Sequence, residues 1–353
     1  MRLLSFVVLV LALTASAEAC DFCMAGGKEF RSLQAEVEGN KTVALARLAG
    51  RGDDGRARFN IEKVLKGGTG LSVGSKVFLD SSFYAVPRAV YLILGPKADR
   101  VGENLIVLNP RSVAFVEKLI DLPPPNKQTE RLLFFAPYLS DPDSLIAASA
   151  RQEFDKVPYA AVKALRPHLK PDELVKELEQ QTVPRSSRGI VLLMVGVSGT
   201  KKHVPRLEAW MGDKTWQQKP GYDALLASYL LLRGQDGLTK IQDVLAGINA
   251  NARSRPGVYF MTALRFHERE EKVLSRDQIL ACIRHLLRYP SFADATLYEL
   301  KRLEDWESLP QVLEMYRLHR KEFPWIERQV AEYLRVCPKP EAKAHLEKMK
   351  TDK

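Results

Sequence analysis

Hydrophobic and polar positions follow two different rhythms along the chain. From Thr42 to about Leu108, the segments TVALARLAG, ARFNIEKVL, SKVFLD, AVYLILG and NLIVL are short runs of β-branched and large aliphatic residues. Between them stand RGDDG, KGGTG, the Val86-Pro87-Arg88 segment and KADRVGE, which are turn and loop chemistry. In ARFNIEKVL, Phe59, Ile61 and, less strictly, Val64 alternate with polar neighbours, as in a half-buried strand. Five such runs without an intervening helix predict a small antiparallel barrel or sandwich. SVAFVEKLID then reads as a short helix capped by Ser112 and stopping before Pro123.

The prolines of LPPPNKQ, Pro123 to Pro125, cannot continue a helix and favour extended backbone, so the domain boundary is placed there as a semi-rigid spacer. Beyond it, apolar residues recur at helical spacing almost to the end. Leu132, Phe135 and Leu139 mark one face; Leu145, Ala148 and Gln152 mark the next, after the Asp141-Pro142-Asp143 start. LKPDELVKELEQQ begins at Pro171, and TVPRSSRGIVLLMVG has Pro184 in its first turn. GYDALLASYLLLRG closes at Gly234, GLTKIQDVLAGI at Gly247, and SRDQILACIRHLLRY runs from a serine cap to Pro290. FADATLYELKRL, SLPQVLEMYRLH and FPWIERQVAEYLRVC continue the series, giving about a dozen helices with no strand signal among them. No fixed period is legible. Paired helices of this length fit either the ~40–47-residue unit of a HEAT-type solenoid or one compact helical region.

The first nineteen residues change the picture of compartment. Arg2, an apolar run from Leu3 to about Leu13 and small residues ending in Ala17-Glu18-Ala19 have the order of a secretory leader. The run is shorter than the ~20 residues a membrane-spanning helix needs, and no later run is longer. Cleavage after Ala19 makes Cys20 the first mature residue, which also admits a lipid anchor there. The expected organisation is a leader over 1–19, a β-rich domain over 20–122, a proline linker over 123–126 and an all-helical region over 127–353. Net charge is +10, but Lys and Arg are interleaved with Glu and Asp, and no basic run resembles a nucleic-acid arm. The expectation is an exported protein, periplasmic, envelope-bound or secreted, with no nucleic-acid partner and no transmembrane helix.

Candidate chemistry is sparse. GTGLSVGSK lacks the GxxxxGK[ST] spacing of a phosphate loop, and Lys76 leads into strand-like VFLD, so the segment reads as a hairpin loop. GVSGT around Ser198 follows a helix and lacks the spacing of a nucleophile elbow, so it reads as a helix-ending turn. His168, His203, His267, His285, His319 and His345 are scattered, none with the i, i+4 partner of a zinc-binding helix. Glu173, Glu177 and Glu179 read as a solvated helix face. No metal ligand set or cofactor motif is legible.

Cysteine carries the remaining chemistry. Cys20 and Cys23 form a CxxC that can close a small disulfide, poise a reactive thiolate or supply two metal ligands. Cys282 and Cys337 are expected to form a second disulfide, since each pair then lies within one domain.

With its CxxC, FNIEKVLKG leading to GSKVFLD, and the later AVYLILG, the segment from Cys20 to Leu122 resembles the OB-fold of the netrin and tissue-inhibitor-of-metalloproteinase class. It also resembles uncharacterised exported bacterial proteins that join such a domain to HEAT-like helical repeats. Lys66-Gly67 after the apolar strand is the most specific match. The resemblance implies an OB-like β-barrel followed by an α-solenoid, and in the inhibitor class the residue corresponding to Cys20 reaches a protease zinc. Here the spacing is CxxC instead of CxC and the domain has no further cysteine, so what carries over is the fold. The sequence therefore points to a non-enzymatic exported interaction or scaffold protein whose helical-repeat surface meets a protein or envelope partner. The alternative is a thiol-redox or metal-binding envelope protein acting through Cys20 and Cys23.

Overall fold

The computed structural model describes residues 31–67, 71–79, 86, 89–95, 105–248 and 255–351. The expected leader and the Cys20–Cys23 pair lie outside them. The five expected strands form one antiparallel sheet: β1 (Thr42–Arg51), β2 (Ala57–Lys66), β3 (Lys76–Leu79), β4 (Val90–Gly95) and β5 (Leu105–Leu108). Their spatial order is β3-β2-β1-β4-β5, so the first four make a Greek key and β5 extends it beside β4. The β1–β2 hairpin turns through Gly55, whose φ of +79° is costly for any residue with a Cβ. Arg51 holds that turn by donating to the Gly55 carbonyl at 2.8 Å.

Alternation along the strands gives the sheet two buried faces. Ala44, Ala46, Phe59, Ile61, Val77, Leu79, Tyr91 and Ile93 form one core on their own. Val43, Leu45, Leu92, Leu94 and Leu108 point the other way, into a core that continues through the helices. The half of that interface nearest the sheet is built by α1 (Leu33–Gly39) and α2 (Pro110–Leu119). Helix α1, unforeseen in the sequence, is capped at its start by Ser32 and at its end by Lys66 of β2. The Lys66 ammonium donates to the Val37 and Glu38 carbonyls, both at 3.1 Å. The cap of α2 is Asn109, not Ser112: Asn109 accepts from the Ser112 amide at 2.9 Å, and the Ser112 hydroxyl returns a bond from the Asn109 amide at 3.0 Å.

Pro123–Pro125 does not hold two bodies apart. Phe115 of α2 packs edge-on against Phe135 and Tyr138, with ring centroids 6.3 and 4.8 Å away. The Leu33 amide donates to Ser149 across the same divide at 3.0 Å, and buried Arg131 reaches both Glu38 (2.8 Å) and the Pro123 carbonyl (2.6 Å). The proline segment is a short bridge over a shared core.

The helices beyond it start with α3 (Gln128–Phe135), α4 (Ser144–Asp155), α5 (Tyr159–Ala164), α6 (Pro171–Glu179) and α7 (Arg188–Ser198). Next come α8 (Val204–Gly212), α9 (Tyr222–Arg233), α10 (Gly237–Ala246), α11 (Arg255–Phe266) and α12 (Arg276–Leu286). The series closes with α13 (Ala293–Arg302), α14 (Leu309–His319), α15 (Ile326–Val336) and α16 (Pro340–Thr351). In α4 the buried face includes Ile146, Ala150 and Phe154, while the expected Leu145, Ala148 and Gln152 are only half-buried beside it. Pro184 precedes a 3-10 turn, and α7 proper opens at Arg188.

From α6 onward the helices fall into two layers. α7, α9, α11, α13 and α15 pack side by side in chain order, while α6, α8, α12 and α14 each pack on the next member of that row and α10 packs back on α9. The row starts at residues 188, 222, 255, 293 and 326, and the covering helices at 171, 204, 237, 276 and 309, so successive units are 33–39 residues apart. All but one step in each series is 33 or 34 residues. The longer step contains a π-helical turn at His267–Glu271. Each covering helix buries a pair of apolar side chains about one turn apart: Leu174 and Leu178, Leu207 and Met211, Ile241 and Leu245, Ile279 and Ile283, Val312 and Met315. The unit is thus shorter than the ~40–47 residues expected and nearer the ~34 of tetratricopeptide-type helix pairs.

The tightest joint is α7 on α9. Every residue from Gly189 to Val197 is buried, so α7 is apolar all round and has no solvent face. A Cβ at Gly196 would stand 2.7 Å from both Cα and Cβ of Ser228, whose hydroxyl donates to the Leu192 carbonyl at 2.7 Å. Gly196→Ala should therefore destabilise the chain by about 1–3 kcal/mol through overpacking, more than the ~1 kcal/mol of helix propensity that alanine adds. Gly212→Ala, where nothing lies within 4 Å, is the control and should be neutral or slightly stabilising. Urea unfolding of the two variants measures both, and a stabilised Gly196→Ala would refute the close approach.

Candidate functional site

A hollow lies between two covering helices, α12 and α14. It is a groove of about 740 Å³, with Ala281, Leu287, Met315 and Leu318 as its apolar surface and Arg284, His285, Arg288 and His319 as its basic one. Helix α12 is set by a Ser275 capping box with Gln278, and α14 enters through a 3-10 turn at Trp306–Ser308 with Pro310 in its first turn. Both helices bury Ile279, Ile283, Val312 and Met315 against the inner row, which turns the basic residues toward the gap.

The charges in the groove are unequal in their partners. Asp305, buried, holds Arg284 by a two-point fork, with Nε to Oδ2 at 2.8 Å, and this bond raises the Arg284 pKa. Glu314 is gripped by Arg317 at 2.7 and 2.8 Å, which keeps its carboxyl below the usual range. Arg288, exposed, pairs with no carboxylate among the described residues. Burial lowers the pKa of His285, and the Arg288 charge lowers it further. The groove can therefore bind an anionic group without giving up an internal pair.

A smaller cavity of about 130 Å³ is bordered by Lys163, Arg166 and Glu271, but Lys163 and Glu271 already pair at 2.8 Å. Glu177, expected on a solvated face, instead pairs with buried Arg151 of α4. Glu173 and Glu179 do face outward, with Lys170 and Arg206 at 3.1 and 2.6 Å. Ser198 ends α7 as expected and donates to the Met194 carbonyl at 2.7 Å. No group of three His, Cys, Asp or Glu able to hold a metal occurs among the described residues. No helix among them is long and apolar enough to cross a membrane.

The expected Cys282–Cys337 disulfide is absent: both are buried free thiols. Cys282 sits on α12 and Cys337 ends α15, and α13 packs against both helices. Burial pushes the Cys282 thiol up to about 11, so it carries almost no thiolate at neutral pH. Iodoacetamide should leave Cys282 unmodified in the folded chain at pH 7.5 and label it fully in urea, as read by peptide mass spectrometry. Rapid labelling of the native protein would contradict the burial.

His267 is the other strongly perturbed group. It is fully buried in the π-helical turn, its Nε2–H donates to the Ala227 carbonyl at 3.0 Å, and Nδ1 has no partner. Burial lowers its pKa to about 4, against the opposing pull of the Ala227 carbonyl and Glu271. The folded chain thus binds fewer protons at His267 than the unfolded chain between pH 6.5 and 4, so this contribution to stability is present at pH 7 and lost as pH falls. Asp155, pushed up to about 7 by burial, works in the opposite sense across all of that range. The test is therefore a difference: His267→Gln should be penalised less at pH 5 than at pH 7, by on the order of 2 kcal/mol in unfolding free energy. An identical penalty at both pH values would mean that His267 is not buried as a neutral imidazole.

In the sequence His285 and His319 stand out only as scattered histidines, and Arg284, Arg288 and the groove do not stand out at all. Arg284 and His285 stand in the last turn of α12 and Arg288 just past it, a place where basic residues are common because they suit the helix dipole. The usable signal was the 33-residue recurrence, which places α12 and α14 in equivalent positions and so brings their outer faces together. Comparison with family models, curated proteins and solved structures returns no match.

Proposed function

We propose that this chain is a helical-repeat interaction protein of the exported compartment, with an OB-like β-unit fused to a short α-solenoid. The observation that carries the reading is the two-layer stack at 33–39-residue spacing, in which each helix pair buries its apolar face on its neighbours. A stack of this kind repeats surface grooves between covering helices, and the α12–α14 groove is one of this type. The OB-like part is supported by the Greek-key order with a fifth strand and by register shifts along β1 at Val43/Ala44, Leu45/Ala46 and Leu48/Gly50. Irregularities of this kind coil a sheet, and the Ala44–Phe59–Tyr91 core made only of sheet-region residues fits an enclosed interior. Export rests on the Arg2, apolar run and Ala17-Glu18-Ala19 order of the leader.

The test is affinity capture with the intact mature chain from envelope extract, followed by titration of each recovered protein in purified form. The reading expects at least one partner with saturable 1:1 binding that survives omission of reductant and of metal. Saturable binding to none, or binding abolished by Cys20→Ser with Cys23→Ser, would replace it with the thiol or metal reading.

A further inference from the structure

We propose that the groove between α12 and α14 is the docking site for an acidic peptide segment bearing aliphatic side chains. This rests on the reading of the chain as a repeat-built interaction protein and names the chemistry of the partner. Arg284 lies in the last turn of α12 and Arg288 in the turn just past its end, and both line the same groove. Asp305 fixes Arg284 through Nε and Nη2, which leaves Nη1 with no bond inside the described chain and already oriented. Arg288 has no carboxylate at all among the described residues. The one carboxylate lining the groove, Glu314, is neutralised by Arg317 and does not cancel them.

The basic groups stand beside an apolar strip, with Leu318 57% exposed at one side and buried Leu287 and Met315 beneath. A polyanion alone would satisfy the guanidinium groups and leave that strip wet. A peptide with carboxylates and leucine-type side chains at helical spacing satisfies both, in the manner of a helix laid in a groove. A volume of about 740 Å³ has room for a few such side chains.

Fluorescence anisotropy with the intact mature chain tests this. The probe is a labelled fourteen-residue peptide of Leu and Glu at i, i+3 and i+4 spacing. Its comparators are the same peptide with Lys in place of Glu and a polyglutamate of equal length. The Leu/Glu peptide should bind saturably and at least tenfold more tightly than either comparator. Arg288→Glu and Leu318→Asp, both on the surface, should each weaken it at least fivefold with unchanged thermal unfolding, while Arg288→Lys retains most of it. Equal binding of polyglutamate would make the groove an unselective anion surface and overturn the proposal, as would full affinity in Arg288→Glu. If the partners captured from envelope extract bind wild type and Arg288→Glu alike, the groove assignment fails while the interaction reading stands.

Discussion

Everything on the helical side depends on how closely α7 and α9 approach. A helix with no polar face can exist in water only if neighbours cover it entirely, and α7 is covered by α4, α5, α6 and α9. The approach needs a residue without a Cβ where the two backbones meet, and Gly196 supplies it opposite Ser228. The Ser228 hydroxyl is small enough to fit and is satisfied by the Leu192 carbonyl, so a polar group sits at the joint without an unpaired hydrogen bond. From this joint the row extends through α11, α13 and α15, each helix adding a layer to a core that already exists.

Ion pairs sunk between helices then fix how the layers register. Arg151 meets Glu177, Glu299 is shared by Arg265 and Arg302, and Arg284 meets Asp305; Arg151, Glu299 and Asp305 are all nearly fully enclosed. Such pairs add little net stability relative to apolar residues of similar size, because desolvation offsets their attraction. Their effect is geometric: a carboxylate with two guanidinium partners, as Glu299 of α13 has in Arg302 of the same helix and Arg265 of α11, favours one arrangement of the two helices. The Arg284–Asp305 fork belongs to both roles, joining α12 to the entrance of α14 and aiming a side chain into the groove.

How much of this could be read from the chain depended on whether a feature is local. All five strands were legible because alternation and turn chemistry are encoded within ten residues, and the caps at Ser275, Gly234 and Gly247 likewise. Helix α1 was not, since its buried face includes Gln34 and Glu36 and only contacts with α2, α4 and Lys66 make it stable. The covered face of α4 is not legible because Leu145, Ala148 and Gln152 also fall at helical spacing, and only the neighbours decide which stripe is covered. The period escaped notice because equivalent starts are occupied by Pro171, Val204, Gly237, Arg276 and Leu309, which share burial geometry and not identity. Cys282 and Cys337 are nearly adjacent in a list of cysteines, yet a whole helix separates their carriers.

The short proline bridge has one further implication. Because Phe115 on one side of it nests among Phe134, Phe135 and Tyr138 on the other, severing the chain there would bare an aromatic patch on both fragments at once. Sheet and stack therefore share one apolar core that runs across the bridge, from Val43 and Leu92 of the sheet to Val330 and Leu334 of α15.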